Sequence, residues 1–223
     1  MFALLCIFLH IAIYLFSRFI VKNQICKKVL LGCSMALIIV WTVYYEVTKL
    51  VSFNILLLLM CIALSYILYV ISLIIVGTKL SSEYIFPIKC FGYKGRIKQS
   101  FARESLHNIF SSTYEELLYR WFIQNALYTL TNSAVISICI TSLVFFAIHI
   151  RKNIAIVQML DIFIFSVAIT LWHHFAGNPL YCIIFHILRN QLVINQKYIA
   201  YKNELDKKIK YLTMIKERKN YGF

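Results

Sequence analysis

VSFNILLLLMCIALSYILYVISLIIV, residues 51–76, decides the fold. The run carries no charge, whereas a helix on a soluble protein would keep one polar face. A bilayer's hydrocarbon core needs ~20 such residues, so Val51–Val76 reads as a membrane-spanning helix with length left over for tilt. Six more apolar runs can be drawn outward from it: Phe2–Ile20 and Val29–Tyr45 before it, then Ile109–Leu130, Ala134–Ile150, Ile154–Phe175 and Leu180–Ile194. Thr131-Asn132-Ser133 and Gly177-Asn178-Pro179 supply tight turns between neighbouring runs.

Composition agrees. Of 223 residues, 61% are hydrophobic and 14% charged, with a mean hydropathy of +0.75, where a soluble domain carries roughly 25% charged residues. Only 2 Pro and 6 Gly argue against a sheet-rich fold. The 7 cysteines (Cys6, Cys26, Cys33, Cys61, Cys90, Cys139 and Cys182) contain no C-x-x-C, so neither a zinc knuckle nor a disulfide framework is indicated. The first run lacks a basic start and a small-residue cleavage site, and reads as a retained anchor.

The net charge of +14 sorts by side. If seven spans alternate, one side takes Lys22, Lys27, Lys28, Lys79, Lys89, Lys94, Arg96, Lys98, Arg103, Arg151, Lys152 and the tail from Lys197 to Lys219. The other side takes Lys49, beside Glu46. The positive-inside rule then sets the N-terminus outside and the C-terminus in the cytoplasm. Basic residues that flank spans suit anionic lipid and do not form a nucleic-acid-binding domain. The expectation is an all-α, polytopic transmembrane helical bundle of about seven spans in the cell membrane, in three parts: N-terminal spans and a basic loop (1–108), a helical core (109–195) and a basic tail (196–223). Within Gly77–Asn108, the stripe Ile97, Phe101, Ala102 and Leu106 predicts an amphipathic surface helix feeding the fourth span. Leu205, Ile209 and Leu212 form a similar stripe in the tail.

Charged and polar groups inside apolar runs need partners or a task. The fourth run contains Glu115-Glu116-Leu117-Leu118-Tyr119-Arg120, the fifth carries Phe145 with His149, and the seventh His186 with Asn190. Each of the last two pairs is spaced i, i+4 on one helix face. With alternating spans, Glu115, His149, His186 and Asn190 reach one depth in the cytoplasmic half of the bilayer. A glutamate, two histidines and an asparagine together can activate water and stabilise an oxyanion. Ser112-x-x-Glu115 and Thr113-x-x-Glu116 also match a capping box, but that leaves Arg120 unexplained. Glu116 and Arg120 are therefore read as a supporting ion pair, with Glu115 facing elsewhere. Asp161 and Arg189 read as a buried tether. His173 and His174 fall at the opposite end of the sixth run, and His10 and His107 have no visible partner.

E-E-x-x-x-R, F-x-x-x-H and H-x-x-x-N, in this order over about Ser111–Asn195, resemble the CPBP family of CAAX prenyl endopeptidases and bacteriocin-processing or immunity (Abi) proteins. The resemblance implies an intramembrane endopeptidase acting on a prenylated or precursor peptide near the cytoplasmic face. In it Glu115 and His149 activate the water, while His186 and Asn190 hold the oxyanion. Whether the chain is a metalloprotease, with zinc on Glu115, His149 and His186, or a metal-free glutamate protease stays open on the residues alone. The alternative from another class is a non-proteolytic bacteriocin immunity or scaffold protein.

Overall fold

A computed structural model describes residues 54–78, 81–87, 93, 95–150 and 154–220. Every regular element among them is helical: α1 (Ile55–Ile75), α2 (Ser82–Ile85), α3 (Gly95–Glu116), a π-helical segment (Leu117–Gln124), α4 (Asn125–Thr131), α5 (Ala134–His149), α6 (Ile156–Ala176) and α7 (Pro179–Asn220). The expected spans Phe2–Ile20 and Val29–Tyr45 lie outside the described residues, as does His10. By length and composition α1 and α6 can each cross a membrane, and α5 is a shorter apolar helix. Their outward faces, among them Ile55, Leu59, Ile62 and Ile67 on α1 and Ile156, Leu160, Leu171 and Phe175 on α6, are exposed and apolar. Patches of this extent suit lipid contact.

One cap corrects an expected boundary, and two others fall in expected turns. The apolar run begins at Val51, but α1 starts at Ile55 because the Asn54 side chain accepts from the N–H groups of Leu56 (2.9 Å) and Leu57 (3.3 Å). The resulting 21 residues rise about 32 Å, close to the ~30 Å hydrocarbon core, so no extra tilt is required. Asn132 closes α4 in the left-handed region (φ 50°), and Gly177 does the same for α6 (φ 64°), its N–H bonding the His173 carbonyl.

The capping-box reading of Ser112 and Thr113 fails, because both lie inside α3. Ser112 donates to Asn108 Oδ1 (3.0 Å) and Thr113 to the Ile109 carbonyl (2.7 Å), which are mid-helix bonds. The surface helix expected at Ile97–Leu106 and the fourth run form one unbroken helical path from Gly95 through the π segment to Thr131. The tail stripe likewise belongs to α7, whose 42 residues rise about 63 Å, roughly twice the hydrocarbon core.

The core sits where α1, α5, α6 and α7 meet, around Cys61, Phe145, Phe165, Ile169, Trp172, Tyr181, Cys182 and Phe185. Cys61, Cys139 and Cys182 are free thiols, the first and last buried. The π segment buries Leu117, Leu118, Trp121, Phe122 and Ile123 as a second cluster. A third, Tyr93, Tyr198 and Ile199, joins the start of α3 to the lower part of α7. Hydroxyls tie the helices across these clusters. Tyr181 donates to the Asn54 carbonyl (3.2 Å), Ser65 to the Phe185 carbonyl (3.2 Å), and Tyr69 to the Tyr84 carbonyl.

Candidate active site

Glu115 and Glu116 end α3 where the backbone passes into the π segment. A π-helix is rare and recurs at functional sites. Here it carries Arg120, and seven of its eight residues are buried. Adjacent residues on a helix point in different directions, so the two carboxylates meet different partners. Glu116 is fully buried with Arg120, whose Nε lies 3.3 Å from Glu116 Oε2. Its other oxygen, Oε1, accepts from His186 Nδ1 at 2.7 Å. Glu115 is 22% exposed, and its Oε2 faces His149 Nε2 at 3.5 Å and His186 Nε2 at 4.0 Å.

The partners fix the tautomers. A carboxylate and a carbonyl only accept hydrogen bonds. His186 Nδ1 must therefore carry the proton directed at Glu116, and His149 Nδ1 the one donated to the Phe145 carbonyl at 2.8 Å. In their neutral forms both rings turn a bare Nε2 toward Glu115 Oε2. Two acceptors, Glu115 Oε2 and His149 Nε2, thus face one point, with His186 Nε2 beside it, which suits a group with two protons to give. A water molecule is such a group.

Phe145 explains the F-x-x-x-H spacing. Its ring, 1% exposed, takes the Arg120 guanidinium at 3.9 Å and lies 4.4 Å from the His149 ring. It also meets His186 edge-on at 6.1 Å. One side chain thereby packs against all three motifs, and its face stabilises the buried cation.

Asn190 sits one turn beyond His186 on α7 and is half-buried. Its Oδ1 accepts from Arg189 Nη1 at 3.1 Å. The expected Asp161–Arg189 pair is present at 2.5 Å, and Ser72 of α1 joins it, donating to Asp161 Oδ1 and accepting from Arg189 Nη2 at 2.8 Å. His173, expected to lie away from the site, bonds Asn125 at 3.3 Å and packs against Trp121, while His174 packs against Tyr128.

Three contributors escaped the sequence reading. Phe165 of α6 lies 4.8 Å from the His186 ring and 4.9 Å from the Arg189 guanidinium. Asn108 of α3 donates to the Ile187 carbonyl at 3.1 Å, fixing α7 beside the site. Ser72 is the third, and its only signal was a hydroxyl in an apolar run. Among the described residues, no group of three or more His, Cys, Asp or Glu side chains is arranged to hold a metal ion.

In comparison with known proteins, the family described as type II CAAX prenyl endopeptidase Rce1-like matches residues 105–192. The matched stretch contains Glu115, Glu116, Arg120, Phe145, His149, His186 and Asn190. No curated protein and no solved structure matches the chain.

Proposed function

Starting from the premise that residues 105–192 belong to the CPBP/CAAX protease family, we propose that this chain is an intramembrane endopeptidase that hydrolyses a prenylated peptide near the cytoplasmic face. The observation that carries the reading is the convergence of His149 Nε2 and His186 Nε2 on one oxygen of Glu115. A water held there donates its two protons to Glu115 Oε2 and His149 Nε2. Glu115 takes one proton as the water oxygen bonds to the scissile carbonyl carbon, and His149 fixes the water's position. The same proton then passes to the leaving nitrogen as the C–N bond breaks.

The oxyanion that forms in between needs donors. Asn190 Nδ2 is one, because its oxygen is engaged by Arg189. His186 is the other in its imidazolium form, with Nδ1–H on Glu116 and Nε2–H free to turn to the oxyanion. Glu116 thus supports both Arg120 and the imidazolium.

The orientation belongs to the proposal: seven spans, with Glu115, His149 and Asn190 toward the cytoplasm. A prenyl chain in the inner leaflet would then bring the peptide to the depth of Glu115. The substrate assignment is tested with proteoliposomes and a peptide carrying a farnesyl group on a cysteine near its C-terminus, beside the same peptide without the lipid. Cleavage confined to the farnesylated peptide is expected. Equal cleavage of both overturns the prenyl specificity, and cleavage of neither overturns the substrate class.

A further inference from the structure

The proposed chemistry asks that the Asn190 amide present its NH₂ to the oxyanion and not its oxygen, and an amide has no intrinsic preference between the two. Arg189 supplies one. A guanidinium carries five N–H donors and no acceptor, so the amide atom facing Arg189 Nη1 at 3.1 Å must be the Asn190 oxygen. That leaves Nδ2 as the end turned away. Arg189 is itself held from two other helices. Its Nη2 donates to Asp161 Oδ2 on α6 and to Ser72 Oγ on α1, and its plane lies over the Phe165 ring. Ser72 in turn donates to Asp161 Oδ1. These contacts hold one guanidinium, which also bonds the Asn190 oxygen.

We infer that Arg189, anchored by Asp161 and Ser72, is a positioning residue that fixes the Asn190 amide with its NH₂ toward the reacting carbonyl. The inference rests on the peptidase reading above and deepens it. Asp161–Arg189 is then more than a tether between α6 and α7. It links the packing of α1, α6 and α7 to the orientation of one catalytic donor. Arg189 makes no contact with the substrate in this role, so its loss reaches the reaction only through Asn190.

That dependence gives a test which a purely structural role fails. Arg189→Gln is made in the wild-type chain and in Asn190→Ala, and kcat and KM are measured on the farnesylated peptide, with the folded fraction of each variant measured separately. Asn190→Ala should lower kcat about 10²–10³-fold, as loss of one oxyanion donor does. Arg189→Gln alone should lower kcat about 10–10²-fold, the scale of a misplaced group, with KM nearly unchanged. In the Asn190→Ala background it should lower kcat no further. Additive losses, or a loss carried by KM, overturn the inference. If Arg189→Gln does not fold, Asp161→Asn keeps the guanidinium and loosens its anchor, and the same non-additivity is required of it. Failure of the underlying reading looks different: either no cleavage by the wild type, or cleavage that survives Glu115→Gln. Cleavage that depends on Glu115 but shows additive losses sinks the positioning role alone.

Discussion

Arg120 and Arg189 are two buried arginines built alike and put to different uses. Each lies over a phenylalanine face, Phe145 for the first and Phe165 for the second, and each pairs with one carboxylate. The Arg120–Glu116 pair is sealed, at 0% exposure on both sides, and its carboxylate reaches on to His186. The Arg189–Asp161 pair is 10% and 17% exposed, and there the arginine reaches on, to Asn190. Depth separates them. A sealed ion pair left half-made strands a charge that nothing can solvate, so it governs whether the bundle assembles. A pair at the margin can recruit water, so it governs how finely one side chain is aimed.

Mutating each pair should expose the difference. Arg120→Ala leaves Glu116 buried without its cation and should destabilise the fold by about 3–5 kcal/mol, seen as loss of folded protein from membranes. Arg120→Lys should restore only part, since a point charge cannot match the guanidinium's planar stacking on Phe145. Asp161→Asn should destabilise by about 1–3 kcal/mol and leave most of the protein folded. Thermal unfolding in detergent ranks the two; equal losses would mean that depth does not separate them. Smaller still is the expected effect of removing metal. The proposed water activation rests on Glu115 and His149 alone, so 1,10-phenanthroline should leave the cleavage rate within about twofold, well under one pK unit of interaction energy. Strong inhibition, reversed by added zinc, would replace the metal-free steps.

Sidedness sharpens the comparison without changing any rate. Single cysteines at Asn132, in the turn after α4, and at Ser100, near the start of α3, are both exposed. In intact cells a membrane-impermeant thiol reagent should label the first and reach the second only after lysis. The reverse pattern would turn the site to the outer face.

Sequence carried the parts of this site that rest on local spacing. Glu116 with Arg120 is an i, i+4 pair, and Asp161 with Arg189 could be matched as two opposite charges stranded in neighbouring apolar runs. Tertiary contacts were harder to see. The Glu116–His186 bond joins residues 70 apart, and the sequence had already given Glu116 a partner in Arg120. Phe165 reads as one more apolar residue in an apolar run. The π segment has no composition of its own, and Ser112-x-x-Glu115 imitates a helix start inside a helix. Runs of hydropathy fixed where helices lie, but not that α3 and α7 continue beyond their apolar stretches, because polar residues with good helix propensity extend a helix as readily as apolar ones.

The central claim is that Glu115 takes the proton from the attacking water, and Glu115→Gln tests it most directly. Glutamine keeps the size of the side chain and a carbonyl oxygen but cannot act as a base. Glu115 is partly exposed, so the fold does not depend on its charge as it does on that of Glu116. Cleavage of the farnesylated peptide should fall by about 10²–10⁴-fold, while the variant inserts and melts like the wild type. Wild-type cleavage by Glu115→Gln would contradict the account.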